Sequence, residues 1–511
     1  MTPPPNPRLC CLWLTPRHLR SNFLVMTLGF SVNHATVVTV IALATAHLGP
    51  VLGAYDLAVF NAVYVLTGLV VQGVVVEKLG LKGSLLAGTM LYCLYVLSFL
   101  AATLCEEGTW LQWIIAIGGA VLGGFGAGFL WSAQGAYFTV NAELYAQAAQ
   151  IPASMATGQF SGTFAFWYLA TEVATKILAS IVMGSEWGGE GMEHAVYVLF
   201  TIMAGLSAVS LLGIRDLRAS QAPAAELSLE EGAAADADAS LEAEGSLSVA
   251  DDDSDPAESS ELAEAAAAAA SDSGSGQAKR GRFSGKSGRA VDLMRTDPKC
   301  LLMAPTEMSF GFVAAMLNGW VNGVAVKEGI GKHNIGYLIA LSTTCAAMSS
   351  ALFSWYTSRS SQVQSNAGPD RPCDWLFTHG KKGPMLTGAA AYATFGFILL
   401  VLPLIELGQW RYLLPIYIVQ GIGRGNFEST NKAVFADFFP GAKAEAAFAN
   451  FVIWSGLSMT IGYFIIPHLS STVSSVLCMF SAVVGGLCYL VADRESQQRA
   501  RSEQRIAISV E

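Results

Sequence analysis

Charged residues are scarce in this chain of 511 residues: they make up 13% of it, whereas hydrophobic residues make up 53%. A soluble domain would carry about 25% charged residues. The deficit means that most of the protein's surface faces something other than water. The sequence therefore predicts a membrane protein.

The patterns typical of enzymes and cofactor sites are missing as well. The nine cysteines include no C-x-x-C pair and no regularly spaced set, which argues against a zinc site and against a disulfide framework. Gly285-Lys286-Ser287 resembles the end of a phosphate-binding loop, but that motif requires glycine where this chain has Arg280. No nucleophile–base pair, metal cluster or basic nucleic-acid patch is evident. We expect no enzyme, no cofactor or metal, no ATP site and no nucleic-acid partner.

The acidity of the chain is confined to one segment. Residues 219–290 hold 15 acidic and 5 basic residues, and the rest of the chain holds 24 of each. The net charge of −10 therefore says nothing about a substrate. The segment is rich in Ala and Ser, and its low hydrophobicity and high charge predict disorder. We expect residues 215–299 to be an acidic, disordered, cytoplasmic linker.

Long apolar runs occur on both sides of this segment. A helix needs about 20 residues to cross the hydrocarbon core. Inside lipid, backbone N–H and C=O groups can form hydrogen bonds only with each other, which favours helix. Twelve runs qualify, near 22–46, 55–76, 83–104, 110–138, 154–183, 194–214, 300–326, 335–356, 384–405, 411–436, 446–468 and 470–492. The predicted architecture is an all-α multi-pass membrane protein. It has six-helix bundles at 22–214 and 300–492, with tails at 1–21 and 493–511.

The basic residues of the short connections indicate the orientation, because cytoplasmic loops carry an excess of Lys and Arg. The opposite side offers only Lys327, Lys332 and Arg411. The richer side has Arg8, Arg17, Arg20, Lys78, Lys82, Arg359, Arg371, Lys381, Lys382, Lys443, Arg494, Arg499, Arg501 and Arg505. Both termini are expected in the cytoplasm; which membrane the protein occupies is left open.

The connection between spans 2 and 3 carries a recognisable pattern, Gly73-x-x-x-Glu77-Lys78-x-Gly80-x-Lys82. It resembles the loop signature of the major facilitator superfamily, with Glu for the usual Asp and Lys for the usual Arg. Glycine permits a tight turn, and the charged groups can pair with one another or with helix ends of the neighbouring bundle. We interpret these residues as a cytoplasmic gate; the alternative is a charged turn that only obeys the positive-inside rule. A degraded copy recurs 300 residues later, at Gly380 and Lys382.

A second internal repeat supports two related halves. Gly124-x-Gly126-x-Gly128 in span 4 aligns with Gly421-x-Gly423-x-Gly425 in span 10, and Gln134 aligns with Asn431. Glycines two apart lie on different helix faces, so the triplets predict backbone that is flexible or closely approached. The segment from Gly124 to Thr139 is similar to the hallmark of UNC-93-like proteins, a branch of the major facilitator superfamily. That resemblance implies the twelve-helix facilitator fold. It also implies a role as a regulator or trafficking partner of ion channels or other membrane proteins.

Ionisable residues within spans are costly and often functional. Span 10 places Arg424, Glu428 and Lys432 on one face at i,i+4 spacing, and span 5 repeats the spacing with Glu172 and Lys176. We expect Glu172 and Lys176 to form a buried ion pair, and Arg424 to point into the bundle towards Glu428 or Glu307.

Spans 1, 4, 7 and 10 line the central cavity of facilitator proteins. The resemblance therefore places eight polar residues there: Asn33, His34, Gln134, Glu307, Asn318, Asn322, Arg424 and Glu428. The alternative for each is a structural hydrogen bond or ion pair. Two functions stay open: a secondary transporter that moves a small solute or ion by alternating access, and a non-transporting regulator of another membrane protein.

Overall fold

The computed structural model describes residues 15–185, 192–217, 286–365, 380–402, 404–439 and 443–510, and it is almost entirely helical. The first half consists of α1 (Pro16–His47), α2 (Pro50–Val70), α3 (Gln72–Thr103), α4 (Trp110–Ala149), α5 (Ala153–Met183) and α6 (Met192–Ser210). Thr15 caps α1 through its side chain, and proline occupies the first turn of α1 and α2, where no backbone N–H is needed.

The second half repeats this order with two interruptions. Its helices are α7 (Pro298–Met316), α8 (Ile335–Ser365), α9 (Lys382–Val401), α10 (Trp410–Asn426), α11 (Ala444–Ile465) and α12 (Ser471–Val510). Wider π-helical turns extend α7 over Leu317–Val326 and α10 over Phe427–Asn431, after which Lys432–Phe438 is α-helical again. Such turns are rare and often lie at functional sites.

The expectation of a membrane-spanning facilitator bundle is confirmed. Eleven helices in the described part of the chain are long and apolar enough to cross a membrane. The tenth expected span is also present, because helical structure runs without a break through 410–438. It is less apolar than the other spans because it carries Arg424, Glu428, Lys432 and Asp437.

The loop signature folds as a glycine turn. Backbone hydrogen bonds run on through Val71 to Val75, so that residues 72–79 prolong α2. Gly80 then adopts φ 77° and breaks the helix, and the third span starts after it. Gly380, at the matching place in the second half, has φ 57°. Both positions lie in the left-handed region that glycine enters without steric penalty.

The glycine triplets are places of close helix approach, as the sequence predicted. A Cβ at Gly124 would lie 2.3 Å from the Phe60 carbonyl on α2, and one at Gly126 would lie 2.7 Å from Leu91 on α3. In the second half, Gly421 meets the Ser342 carbonyl on α8 at 2.4 Å, and Gly423 meets the Tyr392 ring on α9 at 2.2 Å. Each triplet thus packs α4 or α10 against two neighbours at once.

Part of the expected linker is ordered. Residues 218–285 lie outside the described residues, as does most of the N-terminal tail, but Lys286–Thr296 forms a helix, which we call the linker helix. Ala290 and Leu293 are buried, and the Asn450 side chain on α11 donates to the Ala290 carbonyl at 2.9 Å. The expectation of disorder up to residue 299 is wrong here because these apolar residues find a packing surface.

Neutral hydrogen bonds join the two halves at one end of the bundle. We call the end that carries the chain termini the terminal face and the other end the opposite face. At the opposite face Thr45 donates to the Asn318 carbonyl, and the Asn322 amide donates to the Ala42 carbonyl at 3.0 Å. These contacts seal the bundle at the opposite face.

Candidate functional site

An ion-pair network joins the two halves inside the bundle. Arg424, at the midpoint of the helical segment 410–438, donates through its two terminal nitrogens to both carboxylate oxygens of Glu172 on α5, at 2.9 and 3.2 Å. Its Nε donates to Glu428 at 2.7 Å. Lys176 donates to Glu172 and, at 2.9 Å, to Thr343 on α8. We call Glu172, Lys176, Arg424, Glu428 and Thr343 the central network.

The central network is electrically balanced, since its two acids and two bases cancel. A bidentate arginine–carboxylate pair is among the strongest charge-assisted contacts, and partnering is what allows charge inside a membrane. The Glu172 and Lys176 side chains are 1% and 2% exposed, whereas those of Arg424 and Glu428 are 17% and 30% exposed. The buried part of the network anchors it, and the α10 residues remain accessible.

Aromatic rings lie beside the network on the first half. His34 Nε2 and the Tyr168 hydroxyl form a hydrogen bond of 2.8 Å. Which of the two donates depends on the tautomer of the His34 ring. The two rings stack at 5.2 Å, and the Trp131 ring meets His34 edge-on at 5.1 Å. On the second half Phe310 and Phe427 stack at 3.7 Å. Aromatic side chains therefore flank the central network on the side of the first half.

A cavity of about 270 Å³ lies between the halves on the terminal side of these rings. Helices α2, α4 and α11 line it, with Tyr64, Trp131 and Phe448 among the larger side chains. Trp131 contacts both this cavity and His34, so it separates the open space from the polar interior. The volume suits a small solute, and the walls are largely apolar.

The eight residues predicted for one central cavity are distributed among several places. His34, Arg424 and Glu428 lie at or near the central network, and Gln134 is buried in α4 within a turn of Trp131. Asn33 is fully buried and donates to the Ala204 carbonyl on α6 at 3.1 Å, so its assignment to the cavity is wrong. A residue next to His34 on a helix points elsewhere, because successive side chains are about 100° apart.

Three further assignments change in the same way. Asn318 and Asn322 belong to the seal at the opposite face, where Asn318 also donates to the Tyr463 hydroxyl at 3.2 Å. Glu307 lies within the second half and accepts from Asn431 at 2.7 Å, rather than pairing with Arg424. The true partner of Arg424 in the first half is Glu172.

The gate residues lie around the turn between α2 and the third span. Gly73 is helical, Gly80 forms the turn, and Glu77 and Lys78 are exposed. Lys82 donates to the Leu212 carbonyl at 2.8 Å, just after α6. Lys382 makes the related contact in the second half, with Asp493 on α12 at 2.8 Å. Each lysine therefore ties its loop to the last helix of its own half.

One buried acid was missed by the sequence reasoning. Asp56 in α2 is fully buried and accepts from the Tyr95 hydroxyl on α3 at 2.8 Å. A charged residue inside the apolar stretch of α2 was the available signal. The apolar run predicted from sequence begins at residue 55, which places Asp56 at the membrane boundary, where an acid is common.

Comparison with known proteins agrees with this fold and with the sequence hallmark. The family described as "Ion channel regulatory protein UNC-93" matches residues 46–239. Protein unc-93 homolog A from Xenopus laevis is 21% identical over 412 residues, which is 81% of this chain and 79% of that protein.

Solved structures show the same architecture. The nucleoside transporter NupG superposes with a TM-score of 0.58 at 10% identity, over 93% of this chain and 98% of its own. The xylose transporter XylE from E. coli, in an inward-open conformation, gives 0.57 at 14% identity over 93% and 95%. The bundle, its internal repeat and the sequence hallmark agree: the chain is a membrane protein with the major facilitator fold, and it is similar to UNC-93 proteins.

Proposed function

We propose that the protein is a secondary carrier that moves a small solute or ion by alternating access, and that it is not an enzyme. The observation that carries this proposal is the ion pair between Arg424 and Glu172, which joins the halves near the middle of the bundle. It lies between a sealed opposite face and a cavity on the terminal side. Rocking of the halves about this point would expose the centre to each face in turn.

The central network is the proposed site of coupling. Arg424 and Glu428 are accessible, so a charged group of a solute could compete for either of them. Loss of the Arg424–Glu172 contact would free the two halves to separate there. Because the network is neutral as a whole, the solute class with the best fit is a small zwitterion or a cation–anion pair. Such a solute replaces both charges without leaving an unpaired one.

Distances between the halves would test alternating access directly. Spin labels at Gln159 and Ser354 report on the terminal face, and labels at Val51 and Glu328 report on the opposite face; all four residues are exposed. A carrier should show two distance populations at each face, with the short distance at one face accompanying the long distance at the other. A single distribution at both faces, unchanged in Arg424→Met, contradicts the proposal.

A second candidate is regulation of another membrane protein. Gly158 and Gly162 on α5 have the small-x-x-x-small spacing of closely packed transmembrane helices. Neither has a described neighbour within 4 Å of a built Cβ. They line a groove of about 570 Å³ with Phe166 and Trp167 at its edge. The family description as an ion channel regulatory protein favours the same function. A fixed bundle in the distance measurement would support this candidate.

A further inference from the structure

A small cavity lies inside the second half, away from the central network. It is enclosed by α7, α9, α10 and α12, and its lining includes Thr306, Tyr392, Asn426, Asn431 and Gly485. Its volume is about 20 Å³, which is room for one water molecule or one small ion. An organic solute does not fit, so this cavity is not a second copy of the space between the halves.

Four buried oxygen atoms in or beside this cavity accept no hydrogen bond from the described part of the chain. Three belong to residues that line the cavity, and the fourth belongs to Glu307, which is hydrogen-bonded to the lining residue Asn431. The four atoms are Glu307 Oε2, Tyr392 Oη, Asn426 Oδ1 and Asn431 Oδ1. All four residues are at least nine-tenths buried. Buried polar atoms are nearly always satisfied in folded proteins, so four such atoms around one cavity indicate a missing partner.

A hydrogen bond fixes the carboxylate of Glu307 next to the cavity. The Asn431 amide donates to Glu307 Oε1 at 2.7 Å, which leaves Oε2 available. The same asparagine keeps its own carbonyl oxygen unpaired. Glu307 and Asn431 therefore act as one unit that presents two oxygen acceptors and one negative charge.

The π-turn of α10 brings the two asparagines together. Asn426 directly precedes the π-helical segment Phe427–Asn431, and Asn431 is its last residue. In an ordinary α-helix residues five apart lie about 140° apart around the axis. A turn closed by i→i+5 hydrogen bonds brings such residues almost into line. Both asparagines consequently line the same cavity, and the rare helix geometry has an assignable role.

We propose that this cavity is a binding site for a monovalent cation of the sodium type, coordinated by Glu307, Asn426, Asn431 and Tyr392. Carboxylate, amide and hydroxyl oxygens are ligands for hard cations, whereas no His or Cys lines the cavity to favour a transition metal. One carboxylate neutralises one positive charge, and a divalent ion would leave an uncompensated charge in the interior. A water molecule can donate two hydrogen bonds and accept one from the Tyr392 hydroxyl, which still leaves one of the four oxygens without a partner.

The site lies on the same helix as the central network. Glu428 belongs to the π-turn, and Arg424 precedes Asn426 by two residues. A bound cation would stabilise the π-turn and with it the register in which Arg424 reaches Glu172. This inference does not rest on transport, since cation binding can be measured in a protein that moves nothing.

The test uses the purified full-length chain and sodium as the probe. Binding of radioactive sodium is measured together with the melting temperature in sodium chloride and in N-methylglucamine chloride of equal ionic strength. We expect saturable binding of about one ion per chain and a melting temperature that rises with sodium, since a ligand that binds only the folded state stabilises it. Glu307→Gln and Asn426→Ala should each lose at least about tenfold in sodium affinity, the change expected for 1.4 kcal/mol.

Asp56→Asn is the matched control, because it removes another buried carboxylate that has an unpaired oxygen but lies in the first half. It should keep the sodium response. Equal melting in both salts without saturable binding by the unmodified protein would overturn the proposal. So would a sodium response that survives in both Glu307→Gln and Asn426→Ala. If Glu307→Gln does not fold, Asn426→Ala alone decides, because it leaves the carboxylate in place.

Discussion

Arg424 on α10 donates to both carboxylate oxygens of Glu172 on α5, and this pair connects the two halves of the protein inside the bundle. The two residues are 252 positions apart in sequence. Each also has a partner one helical turn away on its own helix, Glu428 for Arg424 and Lys176 for Glu172. Each half thus contributes one acid and one base to the central network, and the contact between Arg424 and Glu172 joins the two pairs.

Neutralising Glu172 should destabilise the protein strongly. Glu172→Gln removes the acid that Arg424 and Lys176 share, and breaking a buried pair costs about 3–5 kcal/mol because the remaining charge is left without a partner. Thermal unfolding of the purified chain measures the loss. The double variant Glu172→Gln with Lys176→Met should recover part of it, since one buried unpaired charge is then removed.

Glu428→Gln is the control for that experiment. The Glu428 side chain is 30% exposed and contacts Arg424 from the same helix, so its loss should cost about 1 kcal/mol or less. A loss as large as that of Glu172→Gln would mean that the network is anchored on α10 and that the contact between the halves is secondary.

The glycines of α4 should differ sharply in their tolerance of a methyl group. Gly124→Ala places a Cβ 2.3 Å from the Phe60 carbonyl, a backbone atom that cannot move alone, and should cost about 1–3 kcal/mol. Gly135→Ala, on the same helix with no described neighbour within 4 Å, should be neutral or slightly stabilising. Melting temperatures of the two variants provide the comparison, and equal values would show that α4 can shift away from α2.

The loop between α2 and the third span is proposed to act as a gate. Glu77→Gln should change the proportion of the two distance populations between Gln159 and Ser354 with little effect on the yield of folded protein. The reason is that Glu77 is exposed beside the Gly80 turn, and its charge can reach helix ends when the terminal face closes. Unchanged proportions would make the motif a charged turn without a gating role.

The distribution of Lys and Arg predicts the orientation in the membrane, and labelling tests this prediction. In a background without other cysteines, Gln498→Cys on α12 should react with a membrane-impermeant reagent only after the cell is permeabilised. Val51→Cys, at the start of α2, lies at the opposite end and should react in intact cells when the protein is at the cell surface. Labelling in the reverse order would place the termini outside.

The sequence specified the helices well because lipid leaves the backbone few alternatives. It also located Gly80 and the glycine triplets, whose roles depend on local geometry. It could not place Asn33 and Glu307, because helices that are apolar on every side do not reveal which face meets which neighbour. The contact of Arg424 with Glu428 is readable along one helix, whereas its contact with Glu172 depends on how α5 and α10 approach in the folded bundle.

The linker helix shows a different limit. Its sequence is polar and basic with few apolar residues, and its order depends on the neighbouring surfaces, including that of α11, that bury Ala290 and Leu293. The π-turns in α7 and α10 were also beyond prediction, since π-helical and α-helical turns share the same residue preferences and differ by the packing around them.

The seal at the opposite face is built from neutral groups: the Thr45 hydroxyl and the Asn322 amide both donate to backbone carbonyls across the two halves. At the terminal face the second half relies on charged pairs, Lys381 with Asp437 and Lys382 with Asp493, whose lysine side chains are partly exposed. At 1 M salt the Debye length is about 3 Å, so interactions between exposed charges are strongly screened, whereas neutral hydrogen bonds are little affected. Ionic strength therefore acts on the two ends of this molecule unequally, and it can loosen the terminal end while the opposite end stays shut.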